Sequence, residues 1–102
     1  MKKLLLACTA GMSTRLLIQR LRKEVSDRAL PIELEALPLS EALDRAPSAD
    51  AVLLGPQIGY ALGEMERSVH GQIPVDVISM RDYGHLNAKG IIDHAMEMLG
   101  LS

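Results

Sequence analysis

The residues best suited to do chemistry lie near the start of the chain, where the single cysteine, Cys8, is followed by small and hydroxyl-bearing residues. A short apolar run at residues 3–7 predicts a strand that ends at Cys8, and a helical pattern begins near Ser13. Helix N-termini carry partial positive charge and free N–H groups, both of which stabilise a thiolate. We therefore expect a lowered pKa for Cys8, which would make it a nucleophile near neutral pH.

The segment after Cys8 is suited to hold a phosphoryl group, and it consists of Thr9, Ala10, Gly11, Met12, Ser13 and Thr14. Small residues allow successive backbone N–H groups to converge on one anion, and Gly11 permits a positive φ. The hydroxyl groups of Ser13 and Thr14 can cap the helix or donate to a phosphate oxygen. The alternative interpretation is a buried structural cysteine in a tight turn, because free cysteines are among the most buried residues.

A second alternative is a low-molecular-weight tyrosine phosphatase, which also uses a cysteine in a phosphate loop. That family needs an arginine six positions after the cysteine to clamp the phosphate, whereas Thr14 stands there and Arg15 follows one step later. A shift of one residue rotates a helical side chain by about 100°, so we expect Arg15 to point away from the loop. The sequence also lacks the Asp-Pro pair of a general acid. The segment therefore fits a phosphoryl carrier, which keeps its phosphoryl group until an acceptor docks, better than it fits a phosphatase.

The elements that must position Cys8 alternate between strands and helices. Apolar runs predict four strands, at residues 3–7, 32–36, 50–54 and 75–78. Helical periodicity predicts helices at residues 13–28, 40–45, 57–69 and from 88 to about 99, with Asp82, Tyr83 and Gly84 in a loop. The fold class is therefore α/β: a small three-layer sandwich with a four-stranded parallel sheet in the order 2-1-3-4, similar to flavodoxin and to the low-molecular-weight phosphatases.

Strand and helix surfaces follow from the same periodicity. Acidic and apolar residues alternate in the second strand, which favours a sheet edge. The inner face of the first helix is predicted to contain Leu16, Leu17, Ile18, Leu21 and Val25. The inner face of the last helix is predicted to contain Ile91, Ile92, Ala95 and Leu99.

Ser40 and Asn87 are the predicted N-caps, Pro56 suits a first helical turn, and Gly100 ends the last helix. Ligands of such sheets bind beyond the carboxyl ends of the strands, where Cys8 and Gly55 lie.

Composition narrows the class of protein. With 102 residues, 48% of them hydrophobic and 24% charged, the chain is predicted to form one domain over residues 1–102. A net charge of −2 and the lack of Phe and Trp argue against a nucleic-acid partner. One cysteine cannot form an internal disulfide, which favours the reducing cytoplasm. The start resembles a lipoprotein signal, but its apolar run is much shorter than a signal needs.

Metal and cofactor sites are not expected. The three histidines, His70, His85 and His94, are spread over a turn, a loop and a helix without the paired spacing of metal ligands. No other cluster suggests a bound metal or cofactor, and surface histidines without a special role are the simpler interpretation.

Three separated motifs resemble one known family. Residues 8–14, followed by Leu16 and Leu17, resemble the phosphorylation loop of the cellobiose/chitobiose-type IIB proteins of the sugar phosphotransferase system, within the lactose/cellobiose group. Residues 53–58 with Tyr60 are similar to that family's segment after the third strand. Residues 77–78 and 82–84 are similar to the segment after the fourth. Element order and length also agree from end to end.

The resemblance implies a specific role. A IIA protein would donate a phosphoryl group from a phosphohistidine to Cys8, and Cys8 would pass it to a sugar held by the membrane permease IIC. The sugar would be a β-linked disaccharide such as cellobiose, chitobiose or lactose. Backbone N–H groups from Thr9 to Thr14 would hold the phosphoryl oxygens. Residues at the rim of the site, some of which would meet the partners, would be Arg15, Gly55, Pro56, Gln57, Tyr60 and Tyr83.

Two positions depart from the family pattern. Arg15 stands where the family often has a small polar residue, so it adds a positive charge beside the loop. Asn87 is followed by Ala88 where a glycine is common. The protein is expected to be a cytoplasmic monomer that meets the membrane transiently. Other hypotheses are a phosphatase-like hydrolase using Cys8, a domain that reports phosphorylation to a regulator, and a thiol-redox protein, for which a second cysteine is missing.

Overall fold

The computed structural model describes residues 1–9 and 12–101, without the side chains of Met12 and Ser13, and this part of the chain forms a four-stranded parallel sheet. The strands are β1 (Lys2–Cys8), β2 (Ile32–Pro38), β3 (Ala51–Leu54) and β4 (Val75–Val77). Their order is β2-β1-β3-β4, as the sequence predicted. The alternating acidic strand, β2, therefore does lie at a sheet edge.

The described residues also form five α-helices and two short 3-10 segments. The helices are α1 (Met12–Asp27), α2 (Leu39–Arg45), α3 (Leu62–Ser68), α4 (Met80–Gly84) and α5 (Ala88–Met98). The 3-10 segments are Ala46–Ser48 and Pro56–Ala61. Within the described ranges, no helix is long and apolar enough to cross a membrane.

The helix predicted at residues 57–69 was wrong in its first half. A 3-10 segment follows Pro56 there, and its helical dihedrals are interrupted at Ile58, with φ −119° and ψ 26°. This break turns Ile58 and Ala61, each 3% exposed, into the core together. Gly59 lies between them and weakens any continuous α-helix, because glycine is a poor helix former.

Three local predictions about turns and caps had different outcomes. The predicted loop at residues 82–84 is a helical turn, because Ser79 caps it by accepting a hydrogen bond from the Asp82 N–H at 3.0 Å. Ser40 is not a cap: α2 begins at Leu39, directly after Pro38, whose φ of −60° suits a helix entry. Asn87 caps α5 as predicted, since its side chain accepts from the Gly90 N–H at 3.2 Å.

The core has two layers, one on each face of the sheet, because successive strand side chains point to opposite faces. Leu4 and Leu6 of β1 pack towards α1 and α5, and Leu5 and Ala7 pack towards α2 and α3. The predicted inner face of α5 is buried throughout. Leu16 is the exception on α1, where its side chain is 42% exposed. The predicted three-layer sandwich is confirmed.

The parallel register brings three strand ends to one edge of the sheet. Cys8 lies opposite Pro38 of β2, and Ala7 lies opposite Leu54 of β3. The Gly55 N–H then donates to the Ala7 carbonyl at 2.9 Å. Residues that follow β1, β2 and β3 are therefore placed around Cys8.

Candidate functional site

Cys8 is the last residue of β1, and its thiol is half-buried. It packs against the core layer that β1 shares with α1 and α5. Its Sγ donates a weak hydrogen bond to the Leu37 carbonyl oxygen at 3.8 Å. The thiol is thus held at the carboxyl edge of the sheet, between β2 and the start of α1.

The expected lowering of the Cys8 pKa was wrong. Burial raises the pKa of the Cys8 thiol above its ordinary value, because a thiolate loses hydration when it leaves water. The hydrogen bond to Leu37 also requires the S–H form. Cys8 is therefore a protonated thiol at neutral pH in this structure.

A hollow of about 230 Å³ opens beside the thiol. It is lined by Cys8, Thr9, Thr14, Arg15, Ile18, Ala36, Leu37 and Pro38. Four of these residues, Ile18 and the three from the end of β2, are apolar walls. The hollow is therefore mostly apolar, with hydroxyl groups and one cation on the α1 side.

Arg15 was expected to point away from the loop unless the loop is remodelled, and the structure places Arg15 among the residues that line the hollow of Cys8. It lies in the first turns of α1 and lines the same hollow as Cys8. Ile18, three residues later on the same helix, lines the hollow as well.

Thr14 has a partner that sequence reasoning did not foresee. Its side chain is buried, with 4% exposed, and its Oγ1 lies 2.8 Å from the Tyr83 hydroxyl oxygen. Either hydroxyl can be the donor. The predicted rim residue Tyr83 therefore does reach the start of α1, but it binds the Thr14 hydroxyl that was expected to serve a phosphate.

The other predicted rim residues follow β3. A Cβ built on Gly55 would lie 3.1 Å from the Gln57 Oε1 and 4.0 Å from the Cys8 Cα, so this turn lies directly against Cys8. Gly55 is buried, Pro56 is half-buried and Gln57 is exposed. Tyr60 is 82% exposed, so its ring is available to a partner.

Four residues of the predicted phosphate loop have limited description. Ala10 and Gly11 lie outside the described residues, as do the side chains of Met12 and Ser13. Thr9 is exposed and lines the hollow. The phosphate-binding role of residues 9–14 accordingly remains a prediction.

Sequence reasoning missed the wall that β2 contributes. Ala36, Leu37 and Pro38 line the hollow because β2 runs two residues beyond its predicted end and stays in register with β1 as far as Cys8. The signal was available: a parallel neighbour of β1 must end at the same sheet edge. The exact length of β2 could not be predicted from the sequence pattern.

A larger groove of about 640 Å³ lies elsewhere, between α1 and the segment from α4 to α5. Its lining mixes basic and acidic side chains, among them Arg20, Glu24, Asp27 and Arg81. Cys8 does not line it. We place the candidate site at the smaller hollow, because that hollow contains the nucleophile.

Comparison with known proteins points to one family. Residues 3–94 match the family model described as PTS system, Lactose/Cellobiose specific IIB subunit. The oligo-beta-mannoside-specific EIIB component of Bacillus subtilis (strain 168) is 34% identical over 100 residues, which is 97% of each chain. The cellobiose-specific EIIB component of Lactococcus lactis subsp. lactis (strain IL1403) is 33% identical over 104 residues, which is 96% of each. The galactose-specific EIIB component of Lactococcus lactis subsp. cremoris (strain MG1363) is 32% identical, again over 96% of each.

Solved structures show the same architecture. The cellobiose-specific phosphotransferase IIB component of Borrelia burgdorferi superposes with a TM-score of 0.79 at 29% identity, covering 97% of this chain and 92% of that one. The lactose-specific IIB component domain of Streptococcus pneumoniae superposes with a TM-score of 0.78 at 18% identity, covering 95% and 96%. The second likeness supports the fold alone.

Proposed function

Since the chain belongs to the lactose/cellobiose-specific IIB subunit family of the sugar phosphotransferase system, we propose that Cys8 carries a phosphoryl group from a IIA protein to a sugar held by a IIC permease. The observation that carries this proposal is the placement of Cys8. Cys8, the only cysteine of the chain, ends a central strand and lines a hollow that is also lined by the positively charged Arg15. A carrier needs a nucleophile that a second protein can reach.

The first transfer exchanges a phosphorus–nitrogen bond for a phosphorus–sulfur bond. The Cys8 Sγ attacks the phosphoryl group on a histidine of IIA, the bond between phosphorus and the ring nitrogen breaks, and the bond between Sγ and phosphorus forms. The S–H proton moves to the ring nitrogen that has lost the phosphoryl group. Burial keeps this proton on the resting thiol, and the proton must leave Sγ for the sulfur to attack, so the leaving imidazole nitrogen is its natural acceptor.

The second transfer returns Cys8 to its starting state. A sugar hydroxyl oxygen attacks the phosphorus atom, the bond between sulfur and phosphorus breaks, and a sugar phosphate forms. The hydroxyl proton is taken up as Sγ becomes a thiol again. The proposed ligands of the phosphoryl oxygens in both steps are the backbone N–H groups from Thr9 to Thr14, the segment that leads into α1 in the sequence.

The partners and the substrate follow from the same proposal. Two exposed apolar side chains that follow β3 and β4, Tyr60 at 82% and Met80 at 79% exposure, would offer contacts to IIA and IIC in the cytoplasm and at the inner face of the membrane. The proposed substrate is a β-linked disaccharide such as cellobiose, chitobiose or lactose. Relatives at 32–34% identity are specific for oligo-beta-mannosides, cellobiose and galactose. Because these relatives differ in their sugar, the proposal names a class of sugar and not one sugar.

The test is intact-protein mass spectrometry after incubation with phosphoenolpyruvate, the general phosphotransfer proteins and IIA. We expect an addition of about 80 Da, one HPO₃ group, on the wild type and none on Cys8→Ser. An unchanged wild-type mass beside a demonstrably phosphorylated IIA would contradict the proposal.

One observation favours the hydrolase alternative, namely that Arg15 lines the hollow of Cys8. Two features of the sequence weigh against it: Thr14, and not an arginine, stands six positions after Cys8, and no Asp-Pro pair is present to supply a general acid. Sustained turnover of p-nitrophenyl phosphate by the wild type, absent in Cys8→Ser, would support hydrolysis. We expect no sustained turnover.

A further inference from the structure

Arg15 is the one charged residue among those that line the hollow of Cys8 in the described part of the chain. Among the described residues, no aspartate or glutamate lines this hollow. A hollow with a cation and no carboxylate attracts an anion, and a phosphoryl group on Cys8 would be a dianion inside it. The charge of the hollow therefore complements the phosphorylated state better than the free thiol.

The guanidinium of Arg15 forms no ion pair with the described residues. Among the described residues, no carboxylate lies within ion-pair distance of it, whereas Arg28 pairs with Glu24 and Asp93, and Arg45 pairs with Glu35. The Arg15 side chain is exposed. Because no internal ion pair must break, Arg15 can turn to an incoming phosphoryl group at little cost.

The surroundings of Sγ decide on which side a phosphoryl group would lie. In the free thiol, Sγ donates its proton to the Leu37 carbonyl oxygen at 3.8 Å. Phosphorylation removes that proton, and phosphoryl oxygens would be repelled by the same carbonyl oxygen. The phosphoryl group must therefore turn from Leu37 towards the α1 side of the hollow, where Arg15 and the helix N-terminus lie.

We infer that Arg15 binds the phosphoryl group on Cys8 through its guanidinium and stabilises the dianionic phosphocysteine; this inference rests on the proposed function. The apolar walls from Ile18 and the end of β2 strengthen the contact, because charges interact more strongly where water is partly excluded. A guanidinium can make two parallel hydrogen bonds to a phosphoryl group. Arg15 would thus be a site residue that the phosphoryl group itself contacts.

The first test is a ³¹P NMR titration of the phosphorylated protein. A bound guanidinium lowers the second pKa of the phosphoryl group, so Arg15→Gln should raise that pKa by about half a unit to one unit relative to the wild type. Arg22→Gln is the matched control. Arg22 is exposed, lies on the same helix and nearly the same face, and is about 10 Å further along the axis. It should leave the titration unchanged.

The outcomes separate this inference from the proposed function. An upward shift in Arg15→Gln alone supports the inference. Equal titrations of the wild type and Arg15→Gln overturn it, and so do equal shifts in both variants, which would reflect net charge. A wild type that takes up no phosphoryl group defeats the proposed function and this inference with it.

The second test needs no partner protein and uses the rate of Cys8 alkylation. Iodoacetate carries a negative charge and iodoacetamide is neutral, so the ratio of their rates reports the cation near Sγ and cancels changes in thiol pKa or access. Arg15→Gln should lower the iodoacetate-to-iodoacetamide ratio by about 2- to 5-fold, as expected for one partly exposed charge. Arg22→Gln should keep the wild-type ratio.

A ratio unchanged by Arg15→Gln would overturn the inference even if the phosphotransfer assay succeeds. Arg15→Lys refines a positive result, because it keeps the charge but loses the fork of donors. It should restore the alkylation ratio and restore the ³¹P titration only in part. Full restoration of both would overturn the two-bond contact.

Discussion

Two connections leave neighbouring strands at the same edge of the sheet, and they are built differently. The connection after β3, Gly55 and the segment Pro56–Ala61, is tied by backbone hydrogen bonds and by two buried side chains. The connection from Cys8 to α1 exposes Thr9 and is tied through side chains, with Thr14 bound to Tyr83 and the Cys8 thiol to Leu37.

The difference indicates a division of work. Buried apolar anchors after β3 hold a fixed wall against Cys8, because such anchors cannot move without opening the core. Among the described residues after β1, the ties from Thr14 to Tyr83 and from Cys8 to Leu37 are side-chain hydrogen bonds, and a hydrogen bond typically contributes about 1 kcal/mol. Phosphoryl transfer is therefore expected at the connection after β1, whereas the connection after β3 is expected to contribute stability.

The largest expected effect comes from Ile58→Ala in the connection after β3. Ile58 is 3% exposed in the core layer beneath α2 and α3, so its truncation should lower the free energy of unfolding by about 2–5 kcal/mol. Urea unfolding measures this, with Thr9→Ala as the exposed counterpart after β1. Similar losses in both variants would contradict the division of work.

A smaller effect is expected where α1 is tied to α4. Thr14→Val leaves the Tyr83 hydroxyl without this bond and should lower the free energy of unfolding by about 1–3 kcal/mol. Tyr83→Phe should weaken the same tie from the other side.

The double variant separates the tie from unrelated packing changes. If the two hydroxyls interact, the two losses will not add, and the coupling should be about 0.5–1.5 kcal/mol. Strictly additive losses would mean that the 2.8 Å contact contributes nothing to stability.

The pH dependence of Cys8 alkylation tests which of two effects on the thiol pKa is larger, since burial raises this pKa and the N-terminus of α1 lowers it. The folded pKa is raised, so the native thiol keeps its proton to higher pH than the unfolded one. Stability from this group is therefore present below the unfolded pKa and is lost as pH rises through the folded pKa. The iodoacetamide rate should keep rising beyond the pH at which a free cysteine is half-ionised.

The control for this titration is the same protein unfolded in urea, whose alkylation midpoint should be lower. A folded midpoint at or below the unfolded one would mean that the N-terminus of α1 outweighs burial. Cys8→Ser should remove the corresponding loss of stability at alkaline pH.

The smallest effect is expected for Tyr60→Ala. Tyr60 belongs to the connection after β3 but is 82% exposed, so the free energy of unfolding should change by less than about 0.5 kcal/mol. If this ring meets a partner, transfer from IIA or to the sugar should slow while the fold is unchanged. A stability loss near that of Ile58→Ala would show that the ring packs in solution.

Much of the fold could be predicted from local patterns. The alternation of β2 predicted an edge strand, and the apolar spacing of α5 predicted its buried face, because both depend on the period of one element. Predictions failed where two elements meet. Leu16 fits the apolar stripe of α1 but no element covers it, and Ile58 interrupts a helix because the core behind β3 requires its side chain.

The candidate site divides in the same way. Sequence alone placed Cys8 at the end of a strand and marked the small residues after it, since chain order and residue type are local properties. Packing decided the protonation of the thiol, the bond between Thr14 and Tyr83, and the position of Arg15 in the hollow. These depend on residues 29 to 69 positions apart in the chain, or on the loss of water around a group, and neither is encoded in any single segment.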